Sequence, residues 1–410
     1  MRGERMKHKL GVSGWCYLLP TLILIAVFSL WPVIQSITYT FFDYKLNDPQ
    51  KSGLYLNERF NVDLFHETAI YIELFLTEDM QNITENDDKT KANTILNQIK
   101  DAAKPYVNQK GVIKITKEER SNITDLYQNT KLLLAELSTK YTLTHQDSLP
   151  LLVEDFNRSI IPSNFIGLQA YQKAFGDKYI HTALWNTILF TVVSVAIELV
   201  LGLGLALILN KAMLGQGLIR TTSLIPWAIP TAVAALMWSY LYDGSSGIIA
   251  HFFENLGLIS QSQDLLLSQG GAMVSTILAD VWKTTPYMAL LLLAGLQNIP
   301  KSLYEAASID GASKVKGFFT ITLPLLKSSI LVALLFRTLD AFRVFDLIFV
   351  LTGGGPGGAT ETMSIYAYKT MFGQTNFGYG SVVVMIMFLC VAIISIIFVR
   401  LLGTNLLDRD

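Results

Sequence analysis

Apolar residues gather into runs of about 20, the length a helix needs to cross a bilayer. Six such runs stand at about 15–41, 184–209, 221–242, 272–294, 328–351 and 380–402. Between the first two lies a long polar segment, about 42–181, rich in Asn, Asp, Lys and Thr. Its periodicity is helical in part. Thr116-x-x-Glu119 reads as a capping box, and Ile123, Leu126, Thr130, Leu133, Leu134, Leu137 and Tyr141 then recur on one helical face. A second amphipathic stretch at about 91–107 predicts a partner helix. The pattern predicts an all-α, polytopic membrane protein of six spans with a small helical insert.

Composition agrees. The chain is 51% hydrophobic and only 16% charged, against about 25% for soluble domains. Net charge of -1 gives nucleic acid no electrostatic footing. Cys16 and Cys390 lie in apolar stretches and read as small hydrophobes, not as a disulfide or a metal pair. The Leu18–Ile37 stretch is too long for a signal h-region and reads as a retained span.

Lysine and arginine orient the spans. Arg2, Arg5, Lys7, Lys9, Lys211, Arg220, Lys301, Lys314, Lys316, Lys327, Arg400 and Arg409 fall on one side. The short loops 243–270 and 353–379 opposite hold only Lys369. Both termini are therefore expected in the cytoplasm and the insert outside. Three regions follow: 1–45 with the first span, 46–165 as the extracytoplasmic insert, and 166–410 as the core with the remaining spans and the loop 297–325.

One cytoplasmic loop, 297–325, is more than a turn. Glu305, Ala306 and Ala307 favour helix, Asp310-Gly311 makes a corner, and a second helix is expected to stop at Pro324. Small alanines let another surface approach. The spans also carry charges: Glu198, Asp280, Lys283, Arg337, Asp340, Arg343 and Asp346. Each is costly in a bilayer unless it faces protein or water. They predict either helix-pinning pairs or a polar path for a hydroxyl-rich solute. Arg337, Asp340, Ala341 and Val344 fall at i, i+3, i+4 and i+7 of one face. Arg343 and Asp346 are the candidates for a purely structural role. The glycine run 353–358 lacks the Lys-Ser/Thr of a phosphate loop and reads as a turn. No catalytic or metal-ligating spacing is visible.

The Glu305 loop resembles the "EAA" loop of ATP-binding-cassette importer permeases. Leu18-Leu19-Pro20 with Trp31-Pro32, Leu224 to Pro230, Trp282-Lys283-x-x-Pro286-Tyr287-Met288 and Leu351 to Gly357 narrow the resemblance to maltose-type carbohydrate permeases. It covers about 280 residues, span 1 and 165 onward; the insert departs from the pattern. The resemblance implies the type I importer permease fold and a bacterial or archaeal cell membrane. It implies an ATPase-docking role for Glu305, Ala306, Ala307, Asp310 and Gly311. It places sugar contacts at Asp280, Lys283, Thr284, Tyr287, Arg337, Asp340, Ala341 and Val344; the side chains differ from the family's at most of them, and Tyr287 is retained. The implied partners are a second permease, two ATPase subunits and an extracytoplasmic solute-binding protein, within membrane lipid. ATP and magnesium would belong to the ATPase, leaving this chain with no cofactor and no enzymatic activity. The substrate would be a di- or oligosaccharide of the maltose, trehalose or raffinose type. Glycerol phosphate, a polyamine or an amino acid is the alternative within the importer class. An ion-coupled secondary transporter would use Glu198, Asp340 and Asp346, and a membrane-anchored sensor would rest on residues 50–160, but neither explains the Glu305 loop.

Overall fold

The computed structural model describes residues 12–211 and 215–407, with side-chain surroundings given from residue 17 to 402 outside the gap. Arg2, Arg5, Lys7, Lys9 and Arg409 lie outside the described residues, as does the side chain of Cys16. Cys390 is half-buried within Phe377–Leu407. The chain divides into two compact units, 1–170 with 375–378, and 171–374 with 379–410.

In the first unit an apolar helical run, Tyr17–Tyr39, precedes the insert. The insert is folded around Val62–Asp79, Asn86–Ala103, Lys117–Lys140 and Ser148–Ser159. The Lys117 helix starts where its sequence says it should. Thr116 accepts from the Glu119 N–H at 3.2 Å, and Glu119 Oε2 accepts from the Thr116 N–H at 2.9 Å. Its Ile123, Leu126, Thr130, Leu133, Leu134 and Leu137 are all buried. The apolar ones join Phe60, Phe65, Ile72, Leu76 and Phe156 in one core. Full burial of such side chains contributes about 1.5–3 kcal/mol each.

The insert also holds a small antiparallel sheet that the helical reading did not contain. β1 (Arg59–Asn61) lies between β2 (Val112–Lys114) and β3 (Ile160–Ile161). Strands this short carry too few residues to show a period of two.

In the second unit the central helix is Gln269–Gln297, whose most apolar window is 61% buried, against 33% for Lys178–Asn210 and 11% for Phe377–Leu402. It starts at Ser268, which accepts from the Gly271 N–H at 3.0 Å. It lies tightly on Lys178–Asn210. A Cβ at Gly202 would stand 2.7 Å from Met288 Cγ, so only glycine permits that approach.

The six-span expectation is modified in three places. Five helices among the described residues are long and apolar enough to span a bilayer. The run at 221–242 is instead broken into Gln216–Ser223, Ile225–Ala228 and Thr231–Leu241. Pro230 has no N–H to continue the ladder, and its ring excludes the helical carbonyl behind it. The run at 328–351 ends as a helix at Phe342; after a break at Arg343–Phe345, Asp346–Leu351 forms a separate turn of helix. Val344 therefore leaves the helical face of Arg337 and Ala341. Lastly, Pro324 does not stop the second loop helix. A π-helical turn, Phe318–Thr322, widens the backbone just before it, and helix continues from Lys314 to Phe342. The same device, Ala26–Leu30, precedes Pro32. A wider turn gives a proline ring more room than an α-turn, although Pro286 stands within the α-helix Gln269–Gln297 without one.

Candidate functional site

Three helices of the second unit bring the intramembrane charges together. Arg337, on Leu323–Phe342, is 1% exposed. Its Nε donates to Glu198 Oε2 at 2.5 Å and its Nη2 to Glu198 Oε1 at 2.9 Å. Nη2 also donates to Asp280 Oδ2, and Nη1 reaches Asp340 Oδ2 at 3.3 Å. Thr284 Oγ1 lies 2.7 Å from Glu198 Oε1 and 2.6 Å from the Asp280 carbonyl, so its proton serves one of them at a time. Planar guanidinium suits this work, because its fork of donors can meet several carboxylates at fixed angles.

Lys283, likewise buried, makes different contacts. Its ammonium donates to the carbonyls of Trp227 at 3.2 Å and Ile229 at 2.8 Å. Both carbonyls sit where the helix breaks before Pro230. One turn along, Tyr287 stacks on Trp227, centroids 5.6 Å apart and planes 14° from parallel. One face of the central helix thus braces the broken helix by charge and by ring. The buried charges balance: Glu198 and Asp280 against Arg337 and Lys283. Asp340, whose side chain is 63% exposed, faces open space.

That space is a polar cavity of about 250 Å³. Asp280, Lys283, Thr284, Arg337, Asp340 and Val344 line it. Of the sequence-derived pathway residues, Tyr287 and Ala341 do not; Tyr287 acts through Trp227, which does, and Ala341 is buried. Arg343 and Asp346 form no ion pair with each other among the described residues. The break between them removes the i, i+3 geometry, Arg343 Nε donates to the Leu339 carbonyl at 3.0 Å, and both line the cavity. Trp227 and Phe345 belong to the wall and were absent from the sequence-derived set. Glu198 was visible as a charge, but nothing local tied it to Arg337.

The second feature is the Glu305 loop. Lys301–Ile309 is helical, and Gly311 takes φ +75°. The Ala312 N–H donates to the Ala307 carbonyl at 2.9 Å and the Gly311 N–H to Ser308 at 3.1 Å, a Schellman closure. Ser313 then caps Lys314–Gly317, and the Tyr304 hydroxyl meets Thr322 Oγ1 at 2.9 Å across the corner. Glu305, Ala306, Asp310 and Gly311 are exposed and Ala307 is half-buried. Around them Ile309 (87%), Val315 (68%) and Phe319 (61%) stand exposed, an apolar surface of the kind that marks a contact site.

Known proteins share this organisation. The family profile described as "Binding-protein-dependent transport system inner membrane component" matches residues 198–407. The trehalose/maltose transport system permease protein of Thermococcus litoralis is 44% identical over 236 residues, 58% of this chain and 79% of that protein. The trehalose transport system permease protein of Mycobacterium tuberculosis is 45% identical over 239 residues, covering 58% and 75%. The sulfoquinovosyl glycerol transport system permease protein of Agrobacterium fabrum is 40% identical over 245 residues, covering 60% and 79%. Among solved structures, a chain of a bacterial ABC transporter involved in import of the acidic polysaccharide alginate aligns with a TM-score of 0.53. It shares 20% identity and covers 58% of this chain and 84% of that one, a likeness of fold.

Proposed function

Because the chain belongs to the family of binding-protein-dependent transport system inner membrane components, we propose that it is one of two permeases in an ATP-driven carbohydrate importer. The observation that carries the sugar assignment is 44% identity to a trehalose/maltose permease in a chain with a polar cavity between its helices. Asp340, Thr284 and the edge of the Arg337 group offer acceptors and donors to sugar hydroxyls, while Trp227 offers a flat apolar face. A disaccharide or short oligosaccharide of the trehalose or maltose type suits that mixture.

Hydrolysis of ATP with magnesium belongs, in this reading, to two copies of a separate ATPase. The exposed Glu305 helix and its apolar neighbours would dock there. An extracytoplasmic binding protein would deliver the solute, and the second permease would close the far side of the cavity. Alternating access then follows as a rigid-body conversion between two packings. The Lys283 brace suits it, since two carbonyls held by one ammonium can be released together. Both termini and the Glu305 loop face the cytoplasm, and the insert lies outside.

The full set of subunits, reconstituted in proteoliposomes with internal ATP, should accumulate labelled trehalose or maltose. Accumulation of glycerol phosphate or a polyamine, with neither sugar taken up, would refute the assignment. Asn97→Cys, at an exposed insert position, should react with an impermeant thiol reagent from outside intact cells. Labelling only after permeabilisation would reverse the topology.

A further inference from the structure

The polar cavity opens onto an aromatic surface that its charged residues do not explain. Phe345, in the cavity wall, meets Phe349 at 5.1 Å between centroids and Tyr368 at 5.0 Å. Phe349 and Tyr368 lie 5.1 Å apart, and Phe372 continues from Tyr368 at 5.1 Å. Exposure rises away from the cavity, from 37% at Tyr368 and 39% at Phe349 to 60% at Phe372. Charges flank these rings. Arg343 and Asp346 stand on the cavity side, and Lys369 pairs with Glu361 at 2.6 Å beside Tyr368. A surface facing acyl chains would not carry them.

Size supplies the second argument. Within this subunit alone the cavity is about 250 Å³, and the second permease of the proposed importer would add to it. It can hold one sugar ring with its hydroxyls. On this subunit, the surface that adjoins it at Phe345 is the aromatic patch, which can take a second ring. A pyranose presents axial C–H groups on one face and hydroxyls at its rim. It fits an apolar ring surface bordered by charge.

We propose that Phe345, Phe349, Tyr368 and Phe372 form a second sugar subsite, a platform for the ring beyond the one held in the polar cavity. The platform rests on the carbohydrate reading above. It makes the permease select disaccharides and longer chains over monosaccharides.

The test uses the assembled importer in lipid nanodiscs without binding protein, with labelled glucose, trehalose and maltose as probes in equilibrium dialysis. The wild type should bind a disaccharide more tightly than glucose. Tyr368→Ala and Phe372→Ala should each weaken disaccharide binding about threefold to tenfold, the scale of one aromatic contact. Glucose binding should not change, and Tyr368→Phe should retain most of the affinity. Unchanged disaccharide binding in both alanine variants, or equal weakening for glucose, overturns the platform while leaving the carbohydrate reading standing. Loss of the second permease on co-purification of the variants also overturns it, by making the patch a subunit contact. A wild type that binds none of the three sugars overturns both.

Discussion

Arg337→Met removes the guanidinium that reaches Glu198, Asp280 and Asp340 while keeping most of the side-chain length. Two of its carboxylate partners are buried, at 0% and 5% exposure, and Lys283 is turned toward backbone carbonyls. Removing one partner of a buried ion pair costs about 3–5 kcal/mol, because the survivor keeps its charge without its counter-charge. Each kcal/mol moves the melting temperature of a domain of roughly 150–250 residues by about 2–4 °C. The substituted subunit in detergent should therefore unfold roughly 6–20 °C below the wild type. Thermal unfolding followed by intrinsic fluorescence, with size-exclusion chromatography after heating, reads this directly. Adding Glu198→Gln to Arg337→Met should recover part of the loss, since one stranded charge disappears. The two changes then couple instead of adding. A single variant melting within about 2 °C of wild type would refute the reasoning, by showing that water or rearrangement replaces the arginine.

Three further outcomes follow from the same structure. Asp340→Asn changes an exposed partner worth about 0.2–1 kcal/mol; thermal unfolding should barely move while sugar uptake falls, and unaltered uptake would remove Asp340 from the path. Gly311→Val forces a β-branched residue to φ +75°, at a cost of about 1–3 kcal/mol in the loop; uptake and sugar-stimulated ATP hydrolysis should be lost with membrane abundance unchanged, and normal coupling would end the docking assignment. Thr116→Ala deletes half of a capping box and should cost the insert about 1 kcal/mol near neutral pH, seen by hydrogen exchange. The Thr116 hydrogen bonds hold the Glu119 carboxyl below its ordinary 4.5. That stabilisation is complete above 4.5 and fades as pH falls through the lowered value, so the penalty should shrink in acid; a penalty constant down to pH ~3 would contradict it.

What could be read from the chain was what local chemistry decides. Thr116, Glu119 and the buried face from Ile123 to Leu137 lie within one helix. The Gly311 corner depends on a single dihedral, and long apolar runs declare themselves by length. Averaging over a window hid the break at Pro230, although both Pro226 and Pro230 stood in view. Pro324 was read as a stop because a proline removes a backbone donor from a helix; whether the helix then stops depends on backbone geometry, and here a π-turn precedes it while Pro286 is carried within Gln269–Gln297. Arg337 and Glu198 are 139 residues apart, and only the packing of three helices brings them together. Lys283 was read as one of the span charges and as a pathway position. Its partners are backbone carbonyls exposed by a distant break, which no side-chain pattern records.

The small sheet of the insert makes that insert removable. β1 runs into it and β3 runs out, and the two pair with Phe60 directly opposite Ile160. Everything between, about a hundred residues, leaves and returns across a single inter-strand gap of about 4.8 Å. Two facing residues on antiparallel strands are also the ends of a two-residue hairpin. An Asn-Gly placed between Phe60 and Ile160 would close the chain in a type I′ turn without moving either strand. Phe60 would lose the Phe65 and Tyr106 rings that now cover it and would need a polar replacement. The excised segment, joined through its own ends, carries its own core and could be circularised or exchanged for another module. The subunit is thus a plug-in socket, and the module it carries between Phe60 and Ile160 can be exchanged without rewriting the long apolar helices.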